Sequence, residues 1–248
     1  MNKPDKRYSR QITLPAIGTD GQARLRDASV LLVGAGGLGT PAALYLASSG
    51  VGQLLLNDFD TIDASNLPRQ ILYNDNDVGS FKAPVAAEKL RAINPAVDVI
   101  AMDERMHADV LRECVSSVDA VLDCSDNFPT RWLVNEICFA AGKPLISGAA
   151  IRWEGQASVF RHELKSGPCY RCLYAEEDES LSNCEGQGIV APVAGTVGTL
   201  MATETLKVLL GIDSDLQGRL WTYDGLAGNS RIIKIPAIPD CPVCSQAA

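Results

Sequence analysis

The run Ser29-Val30-Leu31-Leu32-Val33 leads directly into Gly34-Ala35-Gly36-Gly37-Leu38-Gly39, and a helix-like stretch follows over residues 40–49. A buried strand that enters a glycine loop and then a helix leaves few folds open. Without Cβ atoms, the loop lets phosphate oxygens approach backbone N–H groups, and the partial positive charge of the helix N-terminus favours an anion there. Asp58 lies 19 residues beyond Gly39, after a second apolar run at 54–57, where a carboxylate can hold ribose hydroxyls. Taken alone, this pattern points to a dinucleotide-dependent oxidoreductase.

The periodicity predicts strands at 29–33, 54–57, 97–102, 119–123 and 144–149, alternating with helices at 40–49, 81–93, 107–116 and 129–141. Such alternation specifies an α/β fold, a Rossmann-like and mostly parallel sheet. Beyond residue 150 the pattern alternates between apolar and polar residues, at 156–161, 219–223 and 230–235. These segments are expected to extend the sheet in antiparallel fashion. No linker divides the chain, so residues 1–248 read as a single domain, with a nucleotide-binding half at 1–150 and a second half at 151–248. The acidic segment 174–187, which includes Glu176-Glu177-Asp178-Glu179, has little to bury and is expected to be a mobile loop.

With 22 basic and 30 acidic residues the net charge is -8, which argues against nucleic acid as the main partner. The first seven residues lack the apolar core of a signal peptide. Residues 188–203 are uncharged, but Pro192, Gly195 and Gly198 dilute them and Glu204 and Lys207 cut them short. A buried amphipathic helix is therefore expected, with no membrane partner and a cytoplasmic location. In a reducing compartment, eight cysteines suggest metal or redox chemistry before structural disulfides.

Ser65-Asn66-Leu67-Pro68-Arg69-Gln70 and then Lys82 follow Asp58. Arg and Lys in succession suit a triphosphate, whose charge they offset during cleavage, better than a nicotinamide. Asp123-Cys124-Ser125-Asp126-Asn127 follows an apolar strand, where Asp126 can hold Mg²⁺. Asp126 and Asn127 can equally cap the next helix. Cys169-x2-Cys172 and Cys241-x2-Cys244 each supply two corners of a tetrahedron, and together a closed zinc site that ties down the C-terminus. The alternative is one pair in a thioredoxin-like redox role. Cys114, Cys124 and Cys138 read as small core residues, Cys184 as an exposed thiol in the acidic loop, and His107 and His162 carry no assigned role.

In combination these residues resemble the bacterial ThiF/MoeB (HesA) family of ubiquitin-activating-enzyme-like adenylyltransferases. The likeness also takes in Arg7-Tyr8-Ser9-Arg10-Gln11-Ile12, Asp58-x-Asp60 and Ser147-Gly148-Ala149-Ala150, and it covers essentially the whole chain. It implies a homodimer that uses ATP, Mg²⁺ and a structural Zn²⁺ to adenylate the C-terminal glycine carboxylate of a small ubiquitin-like sulfur carrier, ThiS of the thiamin pathway or MoaD of molybdopterin synthase. A sulfur-delivery protein would then act on the adenylate. The implied nucleotide set is Gly34, Gly36, Gly37, Gly39, Asp58, Asp60, Asn66, Arg69, Gln70, Lys82, Asp126 and Asn127. Arg69, Lys82 and Asp126 would drive the reaction, with Arg10 reaching the other subunit's site and Cys184 as the crossover-loop cysteine. The family usually has Gln where this chain has Pro68, which removes a backbone donor in the phosphate-binding segment. The rival readings are an NAD-dependent Rossmann oxidoreductase and a non-catalytic partner-binding homologue.

Overall fold

The computed structural model of the protein describes residues 6–176 and 187–245. Eight strands form one mixed sheet in the order β3-β2-β1-β4-β5-β6-β7-β8. They are β1 (Ser29–Val33), β2 (Gln53–Asn57), β3 (Asp98–Met102), β4 (Ala120–Asp123), β5 (Leu145–Ile151), β6 (Glu154–Phe160), β7 (Arg219–Asp224) and β8 (Asn229–Lys234). The first five are parallel, and β6, β7 and β8 add on by antiparallel pairing. This is the parallel core with an antiparallel extension expected from the sequence.

The continuous apolar runs of the parallel strands arise because both faces are covered. On β1, Val30 and Leu32 point into the cluster under helices α3 (Gly39–Ser49), α4 (Lys82–Ile93) and α8 (Ala191–Leu210), whereas Leu31 and Val33 join the opposite cluster. That second cluster packs under α5 (Ala108–Ser117), α6 (Phe128–Ala141) and α7 (Tyr170–Leu173). Two further helices, α1 (Ser9–Ile12) and α2 (Gly18–Asp27), precede the sheet.

Helix α8 is the expected buried helix, but it does not stop at its charges. Glu204 is 4% exposed, and its carboxylate accepts from Lys207 Nζ at 2.9 Å and from the Ser214 hydroxyl. The pairing neutralises a buried carboxylate, and the helix continues to Leu210, where Gly211 takes the left-handed conformation. Half of its apolar length is buried against the sheet and α3, so its composition is that of a core helix. The approach is close: a Cβ on Gly198 would lie 2.4 Å from the Leu38 carbonyl oxygen.

His162 sits 4% exposed between the rings of Phe139 and Phe160, with Nε2 unpartnered. Burial pulls its pKa down to about 4. The unfolded chain, with a pKa near 6.5, then binds the proton more readily, so stability falls as pH drops from 6.5 towards 4. Between pH 7 and 5 the loss attributable to His162 is about 2 kcal/mol. Urea unfolding of the native chain and of His162→Phe at both pH values should differ by that amount, and parallel pH curves would refute the assignment.

Candidate functional site

Winding reverses between β1 and β4, and the carboxyl ends of those strands open a cleft, the usual ligand position in an open α/β sheet. The glycine loop forms its floor. Gly34 has φ +102° and a Cβ there would meet the Cys124 carbonyl, while a Cβ on Gly39 would lie 2.0 Å from the Gly34 oxygen. These two glycines are required by the chain's own crossing. Gly36 and Gly37 are not: the nearest atoms to a Cβ stand 3.6 Å away at Gly36 and 3.4 Å away at Gly37. Both line the cavity, so the space they leave is space for a ligand. Gly39 does not line it. We expect Gly37→Ala to fold with an unchanged melting temperature yet bind ATP at least tenfold more weakly, and Gly39→Ala to fail to fold. Thermal unfolding with titration calorimetry checks both; native-like ATP binding by Gly37→Ala would move the cradle elsewhere.

Asp58 buttresses the loop. Its Oδ2 accepts from Ala35 N at 2.8 Å and its Oδ1 from Asp60 N at 3.0 Å. Burial raises its pKa, against the pull of Lys82 and of those two N–H groups. Tyr73 also grips the loop, donating its hydroxyl to Ala35 O at 2.9 Å. Lys82, the first residue of α4, is 6% exposed, with Nζ 2.8 Å from Asp60 Oδ2 and 3.9 Å from Asp58 Oδ1.

Asn66 and Arg69 belong to a turn that tops the cleft. Asn66 Oδ1 accepts from Asp63 N at 3.2 Å, and Arg69 Nη1 donates to Ser65 O at 2.9 Å, with its stem beside Gly37. Pro68 is exposed, and the turn closes around it through Arg69 N and Gln70 N, both bonded to Asn66 O. The proline therefore removes no donor that the turn needs. Gln70 is 3% exposed, lines the cleft and leaves Oε1 unpartnered, a vacant polar group of the kind a ligand satisfies.

The segment after β4 closes the opposite wall. Asn127 caps α6 by accepting from Thr130 N at 3.0 Å, which takes up the side-chain oxygen that the sequence offered to a nucleotide. Asp126 stays exposed in the cleft, meeting Asn127 Nδ2 at 3.4 Å. Capping thus falls to Asn127 and leaves the Asp126 carboxylate free of that duty. Beneath them lies a hub that the sequence did not announce. Asp123, wholly buried, accepts from Ser125 N and Oγ and from Ser147 Oγ. Burial raises its pKa, opposed by the nearby Arg131 charge. Arg131 donates to Ser125 O at 2.7 Å and to the Tyr170 hydroxyl at 3.2 Å, holding the backbone immediately before Asp126.

Asp58, Asp60, Asn66, Arg69, Gln70, Lys82, Asp126 and Asn127 come together around one cavity of about 1390 Å³ with Gly34, Gly36 and Gly37. Its far side is lined from the antiparallel strands, by Gln156, Thr222, Tyr223 and Arg231 among others, which periodicity could not foresee. The volume exceeds the roughly 300–1,000 Å³ of a small-molecule site.

Arg10 does not line this cavity. It is exposed on α1, which is fastened to the wrong end of the fold: Gln11 Nε2 bonds Ser49 O at 3.0 Å and the Tyr8 hydroxyl accepts from Asn94 Nδ2 at 2.7 Å. Ser49 ends α3 and Asn94 follows α4, whereas the cleft is built from the starts of those helices. Cys184 lies outside the described residues, as does most of the expected mobile loop. Of its beginning, Tyr174 is anchored, its hydroxyl donating to Gln156 Oε1 at 2.8 Å.

The four paired cysteines meet on the α6 side of the sheet, with every sulfur within 4.8 Å of the others. The shortest approaches cross between the pairs, Cys169 to Cys241 at 3.7 Å and Cys172 to Cys244 at 3.3 Å. A tetrahedral site with Zn–S bonds near 2.3 Å has edges of about 3.8 Å, so the cluster can hold such a metal. The thioredoxin-like alternative has no support in this arrangement, since the pairs face each other. Cys138 is buried core, Cys124 is buried at the cleft wall and Cys114 is half-buried.

A family model described as the ThiF family matches residues 8–243. The "Sulfur carrier protein adenylyltransferase" of Thermus thermophilus is 45% identical over 245 residues, 97% of this chain and 90% of that protein. The "Sulfur carrier protein ThiS adenylyltransferase" of Escherichia coli K12 is 43% identical, with 98% and 97% covered. The "Adenylyltransferase and sulfurtransferase MOCS3" of Mus musculus is 45% identical over 97% of this chain, and the chain spans about half, 52%, of that relative's length. Among solved structures, that of E. coli MccB with ATP superposes with a TM-score of 0.83 at 24% identity, over 97% of this chain and 75% of that one, a likeness of fold. The match over nearly the whole length, with relatives at 43–45% identity, shows that the chain belongs to the ThiF family.

Proposed function

We propose that the protein adenylates the C-terminal glycine carboxylate of a small ubiquitin-like sulfur carrier, with consumption of ATP and release of pyrophosphate. The observation that carries this reading is the meeting of Arg69, Lys82 and Asp126 around Gly36 and Gly37, in a cavity large enough for a nucleotide together with an extended peptide tail. The Thermus and E. coli relatives, both sulfur carrier protein adenylyltransferases by name, agree with it. A nicotinamide oxidoreductase would leave those three side chains without use.

In this mechanism the carrier's carboxylate, already ionised at pH 7, attacks the α-phosphorus of ATP. A C–O–P bond forms, the α–β P–O bond breaks, and the electron pair leaves with pyrophosphate. No general base is needed, so the chain's task is positioning and charge stabilisation. Lys82 would exchange its partner Asp60 for phosphate oxygens, and Arg69 would swing from the Ser65 carbonyl to the leaving group. Asn66 and Gln70 orient the phosphates, and Asp58 holds the ribose. Asp126 would hold Mg²⁺, which would offset phosphate charge when bound. Cys169, Cys172, Cys241 and Cys244 would together hold Zn²⁺, which would serve as a structural cross-link.

Arg10, too far round its own fold to serve its own cleft, would complete the cleft of a second copy, so the working unit is a homodimer. Residues 1–248 act as one adenylation domain, the first half holding the nucleotide and the second receiving the carrier. A sulfur-delivery protein in the same cytoplasmic compartment would convert the adenylate to a thiocarboxylate, with Cys184 available for a covalent link. The test is ATP–pyrophosphate exchange with purified ThiS and MoaD. Exchange with either supports the reading; none with both, combined with tight NAD(H) binding and no ATP binding, overturns it.

A further inference from the structure

Asn135 lies in the middle of α6 with no exposed surface. Its Oδ1 accepts from Tyr170 N at 2.9 Å. Because a backbone N–H can only donate, that bond fixes which end of the amide is oxygen and aims Nδ2 the other way. Nδ2 is buried and meets no hydrogen-bond partner of ordinary geometry. Because Oδ1 is fixed on Tyr170 N, the side chain lies beside the preceding residue, Cys169, whose fully buried sulfur is within its influence. A neutral thiol is a weak acceptor, so the amide is left unsatisfied beside it. A metal-bound thiolate is negatively charged and accepts well.

We infer that Asn135 is the side-chain donor of the four-cysteine metal centre, its amide N–H bonding the Cys169 thiolate once metal is bound and thereby raising the affinity for that metal. This rests on the zinc reading above. Four thiolates around one divalent ion leave two negative charges in a buried place, and donors from the protein must stabilise them. Among the described residues the backbone also aims donors at the cluster: Ile238 N to Cys172 Sγ at 3.5 Å, Cys172 N towards Cys169, and the N–H groups of Val243 and Cys244 towards Cys241. Asn135 comes from α6, which precedes both cysteine pairs in the chain. It therefore joins the metal to the body of the protein and not only to the tail.

A purely structural role, satisfying Tyr170 N, would need only the oxygen. Asn135→Asp separates the two, since it keeps an acceptor for Tyr170 N but replaces the N–H donor with a carboxylate facing the sulfur. Zinc affinity of the full-length chain, measured by competition with a chromophoric chelator, should fall 10- to 100-fold. Equal affinities in a variant with a native circular-dichroism spectrum overturn the inference. A second measurement needs no variant: in the ¹¹³Cd-substituted native protein, one Asn135 side-chain amide proton should show scalar coupling to cadmium through the sulfur. An assigned Asn135 amide without that coupling also overturns it. A native chain that binds neither zinc nor cadmium would defeat the zinc reading before Asn135 is tested, so the two failures are distinguishable.

Discussion

Asp126→Ala is expected to reduce carrier-dependent ATP–pyrophosphate exchange by about 10³-fold or more, the scale of removing a group that stabilises developing charge through a metal ion. The expectation is sharp because Asp126 does little else. It is exposed, its neighbour Asn127 performs the capping of α6, and Asp123 supplies the buried carboxylate that holds the loop. The substitution should leave stability within about 0.5 kcal/mol of native. Zinc content, set by cysteines elsewhere, should not change. Exchange at native rates in the purified variant would remove Asp126 from the reaction, and a lowered melting temperature would show that the loop depends on it structurally.

The second large effect concerns the cysteines. Replacing Cys241 and Cys244 together by Ser should release the bound metal and lower stability by about 4 kcal/mol, the loop-closure entropy of a cross-link spanning about 70 residues between Cys172 and Cys241. For a chain of this size that corresponds to a fall in melting temperature of roughly 8–16 °C. Most of the core lies in the cluster under α3, α4 and α8, which contains no residue of the tail, so the variant should still fold and bind ATP. Metal analysis beside calorimetry separates the possibilities: metal loss with an unchanged melting temperature would show that the cluster is no structural cross-link.

The parallel core was legible because strands covered on both faces must be apolar at every position, and β1, β2 and β4 are written that way. The cleft was legible for a related reason. Polar residues that line it follow closely after strands, so Asp58 and Asp126 could be placed without coordinates. What could not be read depends on how a helix is rotated or on which distant segments meet. Arg131 looks like any helical arginine, and only the packing of α6 turns it inward to Asp123 and Tyr170. Glu204 looked like the end of an apolar stretch, because its partner Ser214 lies beyond the helix. Tyr223 and Arg231 reach the cleft through antiparallel pairing, whose register is fixed by hairpin geometry. The two Cys-x2-Cys spacings were the exception among distant contacts, since metal chemistry specifies their meeting in advance.

Helix α6 has a consequence for how such a protein can change over time. Within about 12 Å of its length, it starts at the cap beside Asp126, holds the Ser125 carbonyl through Arg131, and grips the first cysteine pair's helix through Asn135. One rigid member thus borders both the cleft and the cysteine cluster. A lineage could therefore discard the four cysteines and keep the cleft, provided Asn135 still held Tyr170 N, because that bond joins α6 to the segment of the first pair without using a cysteine side chain.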